Sequence, residues 1–545
     1  MGDSRHAPHF ATPLCAVPTH AVLSRYRPPV DWDAIVVGGG HNGLVAAAYL
    51  ARAGRRVLVL ERLGETGGAA VSERPFRGVD VRVSRYAYLV SLMPTELIEE
   101  LGLDIALLPR EVSSYTPTHR DGRDTGLLVA RHDATTARSM RSLTAGDAAF
   151  DQWRAFYADA EEIARRLAPT LLGPLPSRRE AEALFADAPH LWRRLVERPL
   201  GEWIEDAVDD DLLRGVILTD GLIGTFASAH TPTLEQNRCF LYHVVGDGTG
   251  DWKVPAGGMG AVSGALDRVA RAAGAEIVTG ADVVAIREGA TTAEVTWRDA
   301  DGEHTATAPW VLANVAPTAL AGLMGEAPPE PTPVGAQLKV NMVLTRLPQL
   351  KSGRDPKQAF AGTFHVDEGY AELETAYREA KAGRIPARPP SELYCHTLTD
   401  PSILSADLQA KGYQTLTLFG LHAPTHLFAD DPKTRTAEHL ERTLAAFEAH
   451  LAEPLLDVIA LDQDGRPCIE AKCPQDLEDA LGLPGGNIFH RELQWPWAED
   501  DAEAGRWGVD THHERVLLCG SGARRGGAVS AIPGRAAALQ LLGRR

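Results

Sequence analysis

A glycine-rich turn between a short apolar strand and a helix is the feature that most constrains how this chain can fold. Residues 33–37 carry the β-branched pattern of a buried parallel strand and run directly into Gly38-Gly39-Gly40-His41-Asn42-Gly43. Residues 44–53 are predicted to form a helix that Gly54 ends, and residues 56–60 a second strand with Glu61 at its end. The glycine motif alone would be weak evidence, but the complete order of elements predicts a dinucleotide site.

Each residue type in this unit has a physical task. Gly38 permits the tight turn, Gly40 lets the backbone approach a pyrophosphate, and Gly43 lets the helix pack closely against the strand. The helix N-terminus offers free N–H groups and the positive end of its dipole to the phosphates. Glu61 is placed to accept hydrogen bonds from the ribose hydroxyls.

A second glycine-rich platform lies near the end of the chain. Residues 515–520 are predicted to form a short strand that leads into the loop 521–534, and residues 535–542 a terminal helix. Residues 257–260, Gly-Gly-Met-Gly, come closest to a second dinucleotide motif, but Ser263 occupies the third glycine position. We therefore expect one bound dinucleotide and no tightly bound nicotinamide cofactor.

Composition excludes several other classes of protein. The chain has 545 residues and a net charge of -18, which argues against a nucleic-acid partner. The six cysteines are mostly isolated, and we interpret Cys468 and Cys473 as two unrelated thiols in a reducing cytoplasm rather than as a redox disulfide or a zinc site. No apolar run reaches the roughly 20 residues of a transmembrane helix, and residues 1–31 are predicted to be a mobile N-terminal extension.

The glycine blocks along the chain resemble those of the phytoene desaturase-like flavoproteins, in the branch with the pyridine nucleotide-disulfide oxidoreductase domain-containing protein 2 group. The similar blocks are residues 38–48, 67–73, 224–228, 242–246, 257–263, 485–490 and 519–535. The chain departs from that pattern at Ala69, where many relatives have an arginine, at Ala523-Arg524-Arg525 and at Ala536. The last two departures are expected near the flavin ring, so they bear on substrate and electron acceptor more than on FAD.

The resemblance implies FAD as the cofactor and gives the positions expected to contact it. The motif and the resemblance together predict Gly38, Gly39, Gly40, Asn42, Gly43, Glu61, Arg62, Gly67, Gly68, Ala69, Val283, Gly522, Gly527, Val529 and Pro533. Flavin chemistry needs no metal, and no metal-binding motif is found. Tyr242, His243, Lys253 and His490 are the candidate catalytic residues, and each of them could equally be structural.

The implied fold class is α/β, with a Rossmann-like FAD-binding domain interleaved with an α+β substrate domain, as in amine oxidases and phytoene desaturases. We predict the FAD-binding domain in residues 32–110, 251–320 and 491–545, and the substrate domain in residues 111–250 and 321–490. The first substrate segment is predicted to be largely helical, with Trp153, Phe156, Leu184, Trp192 and Leu195 as a packing stripe. Arg193 and Arg194 beside Leu191 and Trp192 leave room for peripheral membrane contact.

The predicted function is therefore FAD-dependent oxidation of a small molecule. Dehydrogenation, desaturation or isomerisation of an apolar or amphipathic substrate is the leading interpretation. An FAD-dependent amine oxidase and a flavin-bound regulatory or interaction protein with little turnover are the alternatives. Substrate identity, electron acceptor and oligomeric state stay open at this point.

Overall fold

A computed structural model describes residues 31–144 and 146–543, so the extension expected at residues 1–31 lies outside the described residues except for Asp31. The strands in chain order are β1 Ala34–Val37, β2 Val57–Glu61, β3 Ser72–Glu73, β4 Val83–Ser84, β5 Leu107–Leu108, β6 Val112–Arg120, β7 Arg123–Ala130, β8 Val254–Pro255, β9 Glu276–Thr279, β10 Asp282–Glu288, β11 Ala293–Asp299, β12 Gly302–Ala308, β13 Val311–Ala313, β14 Leu338–Leu344, β15 Thr363–Val366, β16 Ser391–Tyr394, β17 Gln414–Gly420, β18 Ile469–Lys472 and β19 Val516–Leu518.

The α-helices are joined by loops and by short 3₁₀ and π turns. In chain order they are α1 His41–Arg52, α2 Thr95–Leu101, α3 Asp133–Thr144, α4 Ala148–Leu167, α5 Arg178–Ala183, α6 Pro189–Trp192, α7 Leu200–Ala207, α8 Asp211–Thr219, α9 Glu235–Val244, α10 Met259–Ala272, α11 Pro317–Met324, α12 Pro356–Ala359, α13 Tyr370–Lys381, α14 Ala406–Ala410, α15 Pro432–Glu448, α16 Pro474–Leu481 and α17 Ile532–Leu541.

A five-stranded parallel sheet with the order β19-β13-β1-β2-β9 forms the centre of the first layer. Its strands are short and apolar, and all residues of β1, β2, β13 and β19 are buried, because helices α1, α10 and α17 pack against the sheet or against one another. The strands come from three separated parts of the chain. Parallel strands point their carboxyl ends to one edge, and in such folds ligands bind there.

A seven-stranded sheet with the order β18-β14-β17-β16-β15-β6-β7 forms the second layer. Its strands pair antiparallel except for β15 and β6, which are parallel. Helices α3 to α9 build a separate apolar cluster around Phe156, Trp192 and Trp203. The α/β fold class with a Rossmann-like sheet and a mixed second layer confirms the fold predicted from the sequence.

Local details differ from the sequence-based predictions in three places. Residues 112–130, at the start of the segment predicted to be largely helical, form the β6–β7 hairpin. Leu184 in the predicted packing stripe is 38% exposed, whereas Trp153, Phe156, Trp192 and Leu195 are buried. The terminal helix begins at Ile532 instead of Arg535, because proline fits the first turn of a helix, where its missing N–H costs nothing.

Two membrane-related expectations can be compared with the structure. Leu191 and Trp192 are both 2% exposed, so this apolar pair faces the helical core and is not available to a membrane surface. Arg194 pairs with Asp159 at 2.5 Å. Within residues 31–144 and 146–543, no helix combines the length and the apolar character that crossing a bilayer requires.

Candidate functional site

The glycine turn at the carboxyl end of β1 is held by backbone contacts that leave little space. Gly38 has φ +100°, a conformation that residues with a side chain rarely adopt. A Cβ atom on Gly43 would lie 2.2 Å from the carbonyl oxygen of Gly38, so only glycine allows α1 to start this close to the turn. The physical tasks assigned to Gly38 and Gly43 from the sequence correspond to these two positions.

Glu61 is fixed at the end of β2 by two backbone donors. The N–H of Gly39 donates to Oε2 at 2.7 Å, and the N–H of Leu63 donates to Oε1 at 2.8 Å. Burial raises the pKa of the Glu61 carboxyl, and these backbone hydrogen bonds oppose that effect. The carboxylate lies at the cavity wall with acceptor capacity left for hydroxyl donors.

Asn314, which the sequence analysis did not single out, locks the turn from the neighbouring strand. It follows β13 directly, and its Nδ2 donates to the carbonyl oxygen of Gly38 at 2.9 Å. Its own backbone N–H donates to Val37 at 2.8 Å. A polar residue directly after a buried apolar strand is the sequence signal that could have identified it.

A cavity of about 410 Å³ begins at this turn and extends to the seven-stranded sheet. Apolar and aromatic side chains dominate its wall, with Tyr88, Leu89, Trp252, Phe419 and Phe489 among them. The residues predicted to contact the cofactor that line the cavity are Gly38, Gly40, Glu61, Arg62, Gly68, Ala69, Val283, Gly527 and Val529. One cavity therefore brings together the glycine segments from both ends of the chain.

The other predicted contact positions lie behind the cavity wall. Gly39 and Gly67 are paired backbone to backbone, with the N–H of Gly67 donating to Gly39 at 2.9 Å. Pro533 sits in the first turn of α17, and a Cβ on Gly522 would meet Pro317 at 2.5 Å. Asn42 and Gly43 are buried in the first turn of α1. In the structure these side chains or Cα positions support the wall and do not form its surface.

Three of the four candidate catalytic residues line the cavity. The hydroxyl of Tyr242 donates to the carbonyl of Gln494 at 3.0 Å, and His243 stacks on Trp252 with ring centres 4.7 Å apart. His490 also faces the cavity. Lys253 does not line it, because its Nζ turns toward Asp247 at 3.8 Å. The prediction for Lys253 is not supported by its position.

The imidazoles at the cavity are uncharged. Burial lowers the pKa of His41, His243 and His490 to about 4 in each case. Within the described residues, His41 Nε2 and His490 Nδ1 are buried and have no hydrogen-bond partner. These two atoms are free to contact a group bound in the cavity.

Lys339 is a cavity residue that the sequence analysis missed. It lies on β14, is 2% exposed, and its Nζ is 4.4 Å from the ring centre of Tyr88 and 3.3 Å from Oδ1 of Asn341. Burial lowers the pKa of the Lys339 amine well below its ordinary value. The signal in the sequence is the alternation of Lys339 and Asn341 with apolar residues along 338–344, which marks one polar face of a buried strand.

Strand register places Lys339 in a row of four residues, three of them ionisable, that crosses four strands. Lys339 is opposite Phe419, Phe419 is opposite Glu392, and Glu392 is opposite His365. Side chains directly opposite one another share a face of the sheet. Burial raises the pKa of the Glu392 carboxyl to about 7, and Tyr394 donates a hydrogen bond to that carboxyl. This face of the sheet thus carries three buried ionisable groups, of which Glu392 has a pKa near neutral pH.

Arg524 and Arg525, which the sequence analysis interpreted as a departure from the family pattern, do not line the cavity. Arg525 is 2% exposed and donates to backbone carbonyls of the segments 171–174 and 495–497. Arg524 contacts the carbonyls of Trp495 and Trp497 and pairs with Glu503 at 2.6 Å. Both side chains are thus held by buried carbonyl acceptors behind the loop, and neither lines the cavity.

Comparisons with known proteins agree with this architecture. Residues 36–95 match the model of the NAD(P)-binding Rossmann-like domain family. The chain is 50% identical to Uncharacterized protein Rv0897c of Mycobacterium tuberculosis, over 94% of this chain and 97% of the relative. It is 29% identical to pyridine nucleotide-disulfide oxidoreductase domain-containing protein 2 of Rattus norvegicus, over 93% of each protein.

A solved structure shares the fold at low sequence identity. Cyclohexylamine oxidase from Brevibacterium oxydans superimposes with a TM-score of 0.53 and 16% identity, over 94% of this chain and 100% of that structure. This likeness confirms the amine oxidase-like architecture predicted from the sequence. The chain belongs to the family that includes Rv0897c and is similar, more distantly, to the pyridine nucleotide-disulfide oxidoreductase domain-containing protein 2 group.

Proposed function

We propose that the protein is an FAD-dependent oxidoreductase that dehydrogenates, desaturates or isomerises an apolar or amphipathic small molecule. One observation carries the proposal: a single cavity joins the dinucleotide turn to an apolar and aromatic chamber lined by Lys339, whose amine has a pKa well below its ordinary value because it is buried. The family shares a dinucleotide-binding oxidoreductase fold, and the cavity gives that fold a place for an apolar reactant beside the cofactor.

The residues at the turn fit FAD. The glycines at Gly38, Gly40 and Gly68 leave the cavity wall without Cβ atoms, and Glu61 presents a fixed carboxylate. The orphaned His41 Nε2 lies in the same wall at the start of α1, and His490 Nδ1 lies in the loop opposite. In this proposal the cofactor domain comprises residues 32–110, 251–320 and 491–545, with Val283 beside the adenine.

The bound FAD would supply a two-electron acceptor for the substrate's hydrogen. The chain's own contribution is to orient the substrate, exclude water and handle the accompanying proton. Tyr88, Trp252 and Phe419 form a wall that excludes water. Lys339, uncharged because of its burial, can accept a proton at Nζ from the substrate, and Asn341 holds that amine in place. Phe419 lies between Lys339 and Glu392 in the strand register.

An FAD-dependent amine oxidase is the second candidate. The aromatic residues Tyr86, Tyr88, Tyr242, Trp252 and Phe419 at the cavity favour it, because aromatic faces attract the cationic or neutral nitrogen of an amine. A carboxylate at the substrate end of the cavity would strengthen this alternative, but Glu392 lies outside the lining residues that the structure describes. The apolar lining therefore favours the first candidate.

The test begins with the colour of the purified full-length protein. We expect a yellow protein whose visible flavin band bleaches anaerobically with an apolar alkene, alcohol or terpenoid-type substrate in a panel that also contains primary and secondary amines. Bleaching by amines alone, with peroxide released in air, would favour the amine oxidase. A tightly held flavin that no compound reduces would favour the flavin-bound regulatory or interaction protein. A colourless protein that takes up no added FAD would contradict the cofactor itself.

Lys339→Met is the matched variant for the reaction. We expect this variant to retain flavin. Its flavin should be bleached by substrate at least about 100-fold more slowly than in the parent protein, which is the usual size of a general acid–base contribution. Lys253→Met is the control, because Lys253 pairs with Asp247 outside the cavity. The flavin of this variant should bleach at the same rate as that of the parent protein.

A further inference from the structure

Two adjacent histidines and a glutamate meet on the side of the dinucleotide-binding layer, outside the cavity. His512 and His513 lie in the loop before β19, and Glu326 lies just after the glycine that ends α11. Glu326 Oε1 is 3.1 Å from His512 Nε2 and 3.3 Å from His513 Nε2. The three potential ligand atoms all lie within 4.8 Å of one another. None of the three residues lines the cavity.

The spacing of these atoms is that of ligands around one metal ion. Nitrogen and oxygen ligands bind zinc at about 2.0–2.2 Å, so two of them at tetrahedral or right angles lie about 3.0–3.5 Å apart. The two measured separations from Glu326 fall in this range.

A buried nitrogen of His513 without a hydrogen-bond partner among the described residues faces the Glu326 carboxylate. His513 Nδ1 lies 3.1 Å from Glu288 Oε2, which is a hydrogen-bond distance, and Glu288 Oε1 is held by the N–H of Arg515 at 2.5 Å. The other ring nitrogen of His513, Nε2, faces Glu326. That Nε2 is buried, the side chain is only 11% exposed, and no hydrogen-bond partner for it exists among the described residues.

His513 Nε2 lies 3.3 Å from Glu326 Oε1 without forming a hydrogen bond, so a cation between these two atoms would give both of them a partner. A carboxylate that accepts from the outer nitrogen of a ligating histidine is the usual support of metal-binding histidines. Glu288 occupies this supporting position.

We propose that Glu326, His512 and His513 bind a divalent transition-metal ion, with zinc as the preferred ion and water as the remaining ligand. Two imidazoles and one carboxylate suit zinc and its first-row neighbours, whereas calcium and magnesium prefer oxygen ligands throughout. The bound ion ties three separated segments together: β10 through Glu288, the end of α11, and the loop before β19. We infer a structural role for the ion, since it joins these segments outside the cavity; one of them, β10, also carries Val283 at the cavity wall.

Isothermal titration of ZnCl2 into the full-length, untagged flavoprotein after dialysis against a chelator tests this site. We expect one zinc ion per chain and a melting temperature that rises with zinc and falls again with chelator. His512→Ala should weaken zinc binding by more than about 100-fold, because loss of a supporting residue alone costs about 10–100-fold. Glu288→Gln should fall within that smaller range.

The controls separate a metal site from ordinary surface pairing. His512 has a side chain 73% exposed, so its removal should leave the fold and the flavin content unchanged. His304→Ala removes a histidine that pairs with Asp299 at 2.9 Å without a second imidazole, and zinc binding should not change. The proposal is overturned if the parent protein binds no zinc, or if its affinity survives His512→Ala combined with Glu326→Gln.

Discussion

The Nζ atom of Lys339 lies 4.4 Å from the ring centre of Tyr88, in the wall that faces the cavity. This geometry would attract a charged ammonium by up to about 2 kcal/mol. Burying an ion costs several kcal/mol in comparison, and Asn341 Oδ1 is the hydrogen-bond partner of the amine, at 3.3 Å. Desolvation therefore outweighs the contact with the ring, and the lysine is held as a neutral amine beside the cavity.

Replacing Lys339 with methionine should stabilise the protein at neutral pH. In the unfolded chain the amine is protonated below its ordinary pKa of about 10.4, whereas the folded state holds it neutral because burial lowers that pKa. The unfolded state then binds more protons, so stability rises with pH up to the ordinary pKa and is lost as pH falls. At pH 7, Lys339→Met should have a higher melting temperature than the parent protein. Between about pH 7 and 9, its stability should increase less than that of the parent.

Lys357→Met provides the comparison for that experiment. Lys357 is exposed, so its substitution removes a lysine without removing a buried amine. Melting curves of the three proteins across this range measure the effect. An identical pH dependence in Lys339→Met and the parent would mean that Lys339 is charged in the folded state.

Glu392→Gln should change the pH dependence of stability in the direction opposite to that of Lys339→Met. Burial raises the pKa of the Glu392 carboxyl to about 7, so the folded state keeps a proton that the unfolded chain releases near pH 4.3. The folded state binds more protons in this window, and stability therefore falls as pH rises from about 4.5 to 7. The loss amounts to at most about 1.4 kcal/mol per pH unit, and the glutamine variant should avoid it.

Denaturant unfolding at about pH 5 and pH 7.5 would measure this difference. The amide of the variant can still accept the hydrogen bond from Tyr394, so the comparison isolates ionisation. Glu65→Gln, at an exposed position, should follow the parent at both pH values. If Glu392→Gln and the parent protein lose the same amount of stability between about pH 5 and pH 7.5, the Glu392 carboxyl is not protonated in the folded state.

The contrast between the glycine turn and Lys339 shows what the sequence could predict. The unit from Ala34 to Glu61 was recognisable because its strand, turn and helix depend on residues close together in the chain. The polar strand 338–344 was visible as an alternation, but its importance depends on β14 pairing with β17, about 80 residues away. Neither periodicity nor a motif specifies which sheet face closes a cavity, so Lys339 and Glu392 could not be assigned from the sequence.

The arginine pair shows the same limit at shorter range. Arg524 and Arg525 stand in a recognisable glycine loop, at a position that the sequence analysis interpreted as a departure from the family pattern. Arg525 has φ +63°, a left-handed backbone conformation, and its side chain extends to buried carbonyls behind the loop. Its acceptors at residues 171–174 are distant in the chain, so only the structure could show that it anchors the loop.

Gly43→Ala should disrupt the dinucleotide site. The added Cβ would lie 2.2 Å from the carbonyl oxygen of Gly38 and 2.8 Å from Asn314 Nδ2, so α1 or the turn must move. Overpacking of this kind costs about 1–3 kcal/mol, and the displaced turn should release the flavin. Gly64→Ala is the control, since its Cβ would meet nothing within 4 Å. The ratio of flavin to protein after gel filtration measures the effect, and full retention in Gly43→Ala would contradict it.

Arg525→Ala should destabilise the protein more than any of the other substitutions. The guanidinium Nε donates to Pro496 at 2.9 Å, and its terminal nitrogens donate to the carbonyls of Leu171, Gly173 and Pro174. Removing all of these donors leaves buried acceptors unpaired at about 1–3 kcal/mol each, so a loss of at least about 3 kcal/mol is expected.

Arg525→Lys distinguishes the fork of donors from the charge alone. A lysine keeps one positive charge but cannot reach carbonyls on both segments at once, so it should recover only a minor part of the lost stability. Arg193→Ala removes an exposed arginine and should stay within about 0.5 kcal/mol of the parent.

Since Gly527 and Val529 of the same loop line the cavity, the two Arg525 variants should also release flavin faster, in the order of their stability loss. Chemical denaturation and flavin fluorescence on release measure the two effects, and full stability in Arg525→Lys would show that charge, not the fork, anchors the loop.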